Sequence, residues 1–237
     1  MIRTLTIALA LGLLAGVNLF SQQTSITDFL AECARKYGSD ADLVNGEKYF
    51  YPYAQSLGDP FLFTEPRNAS ITIHGKEFTG QKLRYDLFNQ QLILDYTDLY
   101  GASASLVLRN EWVESFAFED YVFKMMKGPD GKPAFFQVIL DGPTACVYKW
   151  SKNYLLNLTS GVQSYYFTDP VKVSYLVIGG EFHLYKGNGA FVKVFSPEIQ
   201  KAIKQFMRQG KIKVKKASDS QMRHLVEYCN SLSHENE

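Results

Sequence analysis

Carboxylates are the side chains with the most evident capacity for chemistry, and they collect between residues 95 and 120. Two carboxylates held close together can divide acid and base roles, as glycoside hydrolysis requires. Strand ends and solvent-facing positions also carry carboxylates, and no His or second catalytic motif accompanies this group. We therefore expect a structural role and keep a hydrolase as the second alternative. The acidic cluster consists of Asp95, Asp98, Glu111, Glu114, Glu119 and Asp120.

A second polar group follows Gly179-Gly180, where Glu181, His183 and Tyr185 alternate along a predicted strand. Alternation places all three on one face, where they could form a metal or general-base site. One carboxylate and one His do not complete such a site, so a solvent-facing polar strip is expected. His74 has no ligand partner in the sequence and is expected to be a solvated turn residue. No catalytic residue, metal site or cofactor is predicted.

Basic residues concentrate in the stretch 193–216, where Glu198 is the single acid. Such a patch can contact phosphates or lipid headgroups, which would associate the protein with a bacterial envelope. A solvated face or an edge strand explains the same composition, and the stretch could also face the acidic cluster. The solvated face is our main expectation. The basic residues are Lys193, Lys201, Lys204, Arg208, Lys211, Lys213, Lys215 and Lys216.

The N-terminus predicts a secretory signal peptide over residues 1–21. Arg3 is the only charge before Asp28, and an apolar run to Phe20 is followed by small polar residues. An uncleaved membrane anchor is the alternative, although the run is short for a spanning helix. We expect an exported protein, periplasmic or secreted. Removing Arg3 from the 25 basic residues leaves 24, equal to the 24 acidic residues. Such a balance gives no bulk reason to bind nucleic acid or an anionic membrane.

Three cysteines lie at positions 33, 146 and 229. An odd number in an exported protein leaves a free thiol or an intermolecular pair. Cys33 and Cys229 both lie on apolar faces of predicted helices, so buried, unreactive thiols are expected. A disulfide between Cys33 and Cys229 remains an alternative that suits an oxidising compartment.

The body of the chain, residues 22–195, reads as one helix followed by many short strands. The stripe from Ile26 to Tyr37 predicts an amphipathic helix over residues 25–37. Leu83–Phe88 and Gln91–Tyr96 alternate apolar and polar side chains around a short turn, and Glu47–Tyr53 reads as the first strand. Tyr and Phe are expected in the core. The last strand of the body is expected at 190–195.

The C-terminal segment, residues 196–237, predicts a helix–strand–helix appendage packed on the sheet. Ser196-Pro197 is a helix start signal, and Gly210 ends that helix. Lys211–Lys216 alternates lysines with Ile212 and Val214, which predicts a short strand. The fold class is therefore α+β: a large curved antiparallel sheet, half-barrel-like, with an N-terminal helix and this appendage.

Two groups of residues carry a family resemblance. One runs from Asn45–Tyr49 through Gly58–Leu62 to Leu83–Leu87, and the other joins Phe191–Phe195 to Leu225–Cys229. Together they resemble a family of uncharacterised exported proteins of Bacteroidota, which implies no known active site. The layout is also similar to periplasmic lipoprotein-carrier half-barrels, whose curved sheet shelters acyl chains. That similarity is one of fold alone.

The expected function is that of an exported, non-enzymatic binding or envelope-associated protein. Its partner would be an unidentified protein or an apolar small molecule. The first alternative is a periplasmic carrier that holds a lipid or other apolar ligand against the concave face of the sheet. That alternative predicts an apolar cavity lined by Leu92, Phe136 and Val173.

Overall fold

The computed structural model describes residues 40–44, 46–97, 101–158 and 164–234. The predicted signal peptide, the predicted helix at 25–37 and Cys33 lie outside these residues. The described part is mostly antiparallel β-sheet, as the sequence predicts. Within it no helix is both long enough and apolar enough to cross a membrane.

Eleven strands form one large open sheet in the order β1-β5-β4-β3-β2-β6-β7-β8-β9-β12-β13, and two more form a separate ribbon, β10–β11. The strands are β1 (Glu47–Lys48), β2 (Arg67–Ile73), β3 (Lys76–Asp86), β4 (Gln91–Thr97), β5 (Ser103–Val107), β6 (Val113–Phe118), β7 (Tyr121–Lys127), β8 (Pro133–Leu140), β9 (Thr144–Ser151), β10 (Tyr154–Asn157), β11 (Ser164–Phe167), β12 (Val171–Ile178) and β13 (Glu181–Leu184). The helices described are α1 (Asn188–Lys193), α2 (Pro197–Gln209) and α3 (Asp219–His234).

Short hairpins connect most neighbouring strands, and several have the positive backbone angles that tight turns need. Gly179 and Gly180, between β12 and β13, have φ values of 57° and 85°. His74 and Gly75, between β2 and β3, have φ values of 49° and 74°. Positive φ at both central residues matches the twist of the flanking strands. These two predicted hairpins are confirmed, and His74 is exposed as expected.

Alternation along the strands gives the sheet a first face with a filled apolar core. Leu83 lies opposite Leu94, and Tyr85 lies opposite Leu92, so all four side chains point the same way. Aromatic rings from β6, β7 and β8 complete this core, and the ring of Tyr85 lies 5.9 Å from that of Phe135. Leu92 is completely buried there.

The helices cover the same face farther along the sheet, over β8, β9 and β12. α2 buries Ile199, Ile203 and Met207, and α3 buries a stripe that includes Cys229. Asn230 of α3 both donates to the carbonyl oxygen of Thr144 and accepts from its N–H, each at 3.1 Å. These hydrogen bonds to the backbone fix the position of α3 on β9, the strand that contains Thr144.

The second face carries a smaller apolar cluster. Phe135 and Phe136 are consecutive on β8, so their side chains point to opposite faces. Phe136 packs with Ala145, Val147 and Val177 on the second face. Both faces of β8 are therefore apolar.

At β3 and β4 the second face carries an ion pair instead. Arg84 donates two hydrogen bonds to Asp95, at 2.9 and 3.1 Å, and its guanidinium lies 4.7 Å from the ring centre of Phe61. Phe61 ends the segment 49–61. The first strand was expected over 47–53, which would include the start of this segment. Only Glu47–Lys48 is a strand. The N–H of Tyr49 still donates to the carbonyl oxygen of Ser105 at 2.8 Å, and beyond it the ring of Tyr51 packs against those of Tyr53 and Phe61.

Two other predicted strands are wrong. Residues 190–193 belong to α1 and 194–195 follow it, with Phe191, Val192 and Phe195 buried at helical spacing. Residues 211–216 form turns. Ile212 and Val214 are buried and the lysines exposed, as the alternation indicates. Their backbone, however, bonds to the side chain of Asn188 and not to a strand.

Asp86 is completely buried at the end of β3 and organises the turn that follows. Its carboxylate accepts hydrogen bonds from the backbone N–H groups of Phe88 and Asn89, at 2.9 and 2.8 Å. Burial raises the pKa of this carboxyl above its usual value, although these bonds and Lys152 oppose the shift. The conformation of this turn therefore depends on a carboxylate that is buried away from water.

We expect Asp86→Ala to lower the free energy of unfolding by about 1–3 kcal/mol, because buried N–H donors lose their acceptor. Asp86→Asn keeps an acceptor oxygen and should cost less. Urea unfolding between pH 3.5 and 7 measures both variants.

The pH dependence supplies the control. The unfolded carboxyl of Asp86 has the usual pKa of 3.8, and the buried carboxyl has a higher pKa. Between these two values the unfolded state ionises first, so Asp86 makes the free energy of unfolding fall as pH rises toward the raised pKa. Asp86→Asn should remove that contribution. Equal destabilisation by Asn and Ala, with an unchanged pH profile, would refute the role.

Candidate functional site

Five basic side chains form a continuous exposed surface on α2 and the turn after it. Lys201, Lys204 and Arg208 lie at i, i+3 and i+7, on one side of α2. The opposite side of the helix is buried against the sheet, so these cations point to solvent. Two lysines of the following turn extend the surface. We call Lys201, Lys204, Arg208, Lys211 and Lys213 the basic surface.

A groove of about 450 Å³ opens in this surface between α1 and α2. Its lining includes three buried apolar side chains, those of Val192, Met207 and Ile212. The exposed lining is cationic and comes from Lys204, Arg208, Lys211 and Lys213. The groove therefore combines an apolar floor with a positively charged rim.

The side chain of Asn188 holds the two walls of the groove together. Its amide donates to the carbonyl oxygen of Ile212 at 3.2 Å, and its oxygen accepts from the N–H of Val214 at 3.0 Å. The backbone N–H of Ile212 also donates to the carbonyl oxygen of Met207 at 2.8 Å. These bonds fix the turn so that its apolar residues are buried and its lysines are exposed.

No ion pair neutralises the basic surface within the residues that the structure describes. The described cations that do have acidic partners lie elsewhere, as in the pairs Arg84–Asp95 and Lys152–Asp59. The alternative in which the basic stretch faces the acidic cluster has no described contact in its favour. The charge of the basic surface is therefore available to a binding partner.

The acidic cluster is distributed over several hairpins and is not gathered into a cleft. Glu119 and Asp120 form the turn between β6 and β7, and Glu114 accepts a hydrogen bond from the N–H of Gly75 at 2.7 Å. Asp95 bonds Arg84, while Asp98 lies outside the described residues. Among the described residues no group of three or more His, Cys, Asp or Glu side chains could hold a metal ion.

The strip Glu181, His183 and Tyr185 does share one face, as predicted, but it is not all solvent-facing. Tyr185 is buried in the core under the helices, with its hydroxyl 3.4 Å from the Sγ of Cys146. Glu181 is exposed at the start of β13. Packing in the core therefore explains the position of Tyr185, and no ligand is needed to explain it.

The structure does not bring together the three residues predicted to line an apolar cavity. Leu92 is packed in the core of the first face, and Phe136 is completely buried on the second. Val173 is partly exposed on β12, where it lies opposite Lys149. A single cavity cannot be lined by both Leu92 and Phe136, because the sheet lies between them.

A partly exposed group of aromatic residues was missed by the sequence reasoning, which expected Tyr and Phe in the core. The ring of Tyr53 packs against those of Phe88, Tyr154 and Phe167, and Tyr154 stacks on Tyr165 at 5.1 Å. Tyr165 is 48% exposed. The dense aromatic content of residues 49–53 and 165–167 was the available signal.

Comparison with known proteins gives no identification: no family model, curated protein or solved structure matches this chain.

Cys146 and Cys229 are buried free thiols, which confirms the expectation for Cys229. Burial raises the pKa of Cys146 to about 11 and that of Cys229 to about 12. We expect a thiol reagent at pH 8 to label both at least 100-fold more slowly in the folded protein than in urea, since the thiolate is the reactive form.

Peptide mapping by mass spectrometry measures this labelling for each cysteine separately. Rapid labelling of Cys229 in the folded protein would show that α3 is not packed as described.

Proposed function

We propose that this is an exported, non-enzymatic binding protein that associates with the anionic lipid headgroups of the bacterial envelope through its basic surface. One observation carries the proposal: of five neighbouring cations, without an ion pair in the described residues, four line a groove with an apolar floor. Location in the periplasm or outside the cell is part of the proposal and follows from the predicted signal peptide.

The charge of this surface is sufficient for reversible membrane association. Each Lys or Arg close to an anionic membrane contributes about 1 kcal/mol. Five such residues give roughly 5 kcal/mol, which corresponds to a three- to four-decade preference for the anionic surface. Because exposed charges are screened within about 10 Å at 0.1 M salt, the association should weaken steeply as salt increases.

The apolar floor of the groove favours a lipid over a free phosphate. Val192, Met207 and Ile212 have no side-chain donor, and their only acceptor is the weakly accepting sulfur of Met207, so they match the hydrocarbon part of an amphiphile. The cations at the rim match its phosphate. Acidic and basic residues are nearly equal in number over the whole chain, so the proposed attraction comes from the local concentration of cations and not from net charge.

The two alternatives have no comparable observation in their favour. A carrier with a half-barrel sheet needs an apolar cavity, and Leu92 and Phe136 are buried on opposite faces. A hydrolase needs carboxylates that converge in a cleft, whereas Glu119 and Asp120 are neighbours in one exposed hairpin turn and Glu114 accepts from the N–H of Gly75.

The test is cosedimentation of the purified protein with vesicles. We expect binding to vesicles that contain phosphatidylglycerol, little binding to pure phosphatidylcholine, and loss of binding at 0.5 M NaCl. The triple variant Lys204→Glu, Arg208→Glu, Lys211→Glu should reduce binding at least 100-fold, because it reverses the charge at the groove.

A matched control reverses three exposed lysines elsewhere, Lys82→Glu, Lys127→Glu and Lys132→Glu. It changes the net charge equally and should bind nearly as well as the unmodified protein. An equal loss in both variants, salt-independent binding, or no binding to anionic vesicles would each reject the proposal.

A further inference from the structure

Lys211, in the basic surface, has a left-handed backbone conformation that is unusual for residues other than glycine. Its φ is 49°, whereas Gly210 beside it has an ordinary helical φ of −77°. The N–H of Ile212 donates to the carbonyl oxygen of Met207 at 2.8 Å, and the N–H of Lys211 donates to that of Arg208 at 3.2 Å. Helices that end with these two bonds usually have glycine at the left-handed position. A lysine there is strained, because its Cβ lies close to the backbone.

This strained position places the side chain of Lys211 in the lining of the groove between α1 and α2. Cations often lie at the end of a helix because its carbonyl groups carry partial negative charge. That attraction does not require a lysine in the left-handed position, and the carbonyl oxygens of Met207 and Arg208 already accept backbone hydrogen bonds. Strain retained at one residue of a binding surface indicates that its side chain has a function there.

The charge that lines the groove matches a ligand with more than one negative charge. Lys204, Arg208, Lys211 and Lys213 line it, and none of the described lining residues is acidic. A cleft whose walls carry one sign of charge concentrates the electrostatic field on the ligand inside it. A phosphodiester carries a single negative charge, whereas a phosphomonoester carries about 1.5 to 2 at pH 7.

The number of donors favours the same ligand. A lysine ammonium has three N–H donors and an arginine guanidinium has five, and charge-assisted bonds from both to phosphate are strong. A phosphomonoester presents three unsubstituted oxygens to these donors. A phosphodiester presents two, and its second substituent blocks one side of the phosphate.

We propose that the groove binds one lipid whose headgroup is a phosphomonoester, with the phosphate at the cationic rim and the adjoining hydrocarbon on the apolar floor. The inference rests on the proposed function and names the ligand class of the same surface. Lys201 lies outside the lining of the groove and contributes to general attraction toward the membrane.

Gly189 gives the wall formed by α1 its shape. It lines the groove, and a Cβ at this position would have no heavy atom within 4 Å. Its φ lies outside the left-handed region, so a side chain can be added here without backbone strain. A large side chain at position 189 would therefore occupy space in the groove without changing its charge.

Vesicle binding tests the headgroup. We expect the purified protein to bind vesicles that contain phosphatidic acid, a monoester, at least 10-fold more tightly than phosphatidylglycerol vesicles of the same surface charge. Equal affinity for the two would overturn this inference and leave the proposed function intact. Binding to neither would reject both.

Titration calorimetry distinguishes a lipid from a free phosphomonoester. Soluble dihexanoyl phosphatidic acid should bind at least 10-fold more tightly than glycerol 3-phosphate, because its chains bury apolar surface on the floor. Equal affinity would overturn the lipid as the ligand.

Two substitutions at position 211 separate function from folding. Lys211→Gly and Lys211→Ala should each weaken binding of dihexanoyl phosphatidic acid about 5-fold or more, because a cation is lost from the rim. Lys211→Gly should unfold at a urea concentration at least as high as the unmodified protein, and at a higher one than Lys211→Ala. Lys132→Ala, in an exposed turn elsewhere, is the control and should leave the affinity unchanged. Unchanged affinity in Lys211→Gly would make the inference wrong.

Gly189→Phe tests the groove itself. It should weaken binding of dihexanoyl phosphatidic acid at least 10-fold, while Gly189→Ala, which adds only a methyl group, should change the affinity less than 2-fold. Urea unfolding of both variants checks that the fold is retained. An affinity unchanged by the phenylalanine would show that the lipid does not occupy the groove.

Discussion

Both faces of the sheet carry buried apolar side chains, and these must be shielded from water. Side chains alternate along each strand, so a strand with consecutive large rings, such as Phe135 and Phe136, buries one ring on each side. Different structural elements cover the sheet in different places. Helices cover the first face over β9 and β12, while the segment 49–61 covers the second face near Arg84. The positions of helices and loops follow from this one constraint.

The parts of the fold that were predictable are those that local sequence determines. Alternation correctly predicted β3 and β4 as neighbouring strands, although four residues connect them and not the predicted two, and the glycines at 179–180 correctly marked a hairpin. Both signals depend on residues within a few positions of one another. This is why the antiparallel sheet followed from the sequence although its strand order did not.

The incorrect predictions depend on contacts that are distant in sequence. Lys211–Lys216 has a strand-like pattern, and the burial of Ile212 and Val214 agrees with it. What prevents a strand is the side chain of Asn188, more than twenty residues away, which takes the backbone bonds. A similar limit applied to the site. Charge density predicted the basic stretch, but the groove exists only because α1 packs beside α2. The exposure of the β10–β11 rings likewise depends on whether segments distant in sequence cover them.

The connection between β9 and β12 affects which part of the molecule can change in sequence during evolution. Ser151 lies directly opposite Val171, so the two strands are already paired at the point where the ribbon leaves the sheet. The ribbon is thus an insertion in a hairpin that could close without it. The exposed residues of the ribbon can be exchanged during evolution while the ladder beneath them stays intact, whereas Lys152 at its base is held by an ion pair with Asp59. Selection can therefore act on the surface of the ribbon with little effect on the folding of the sheet that supports it.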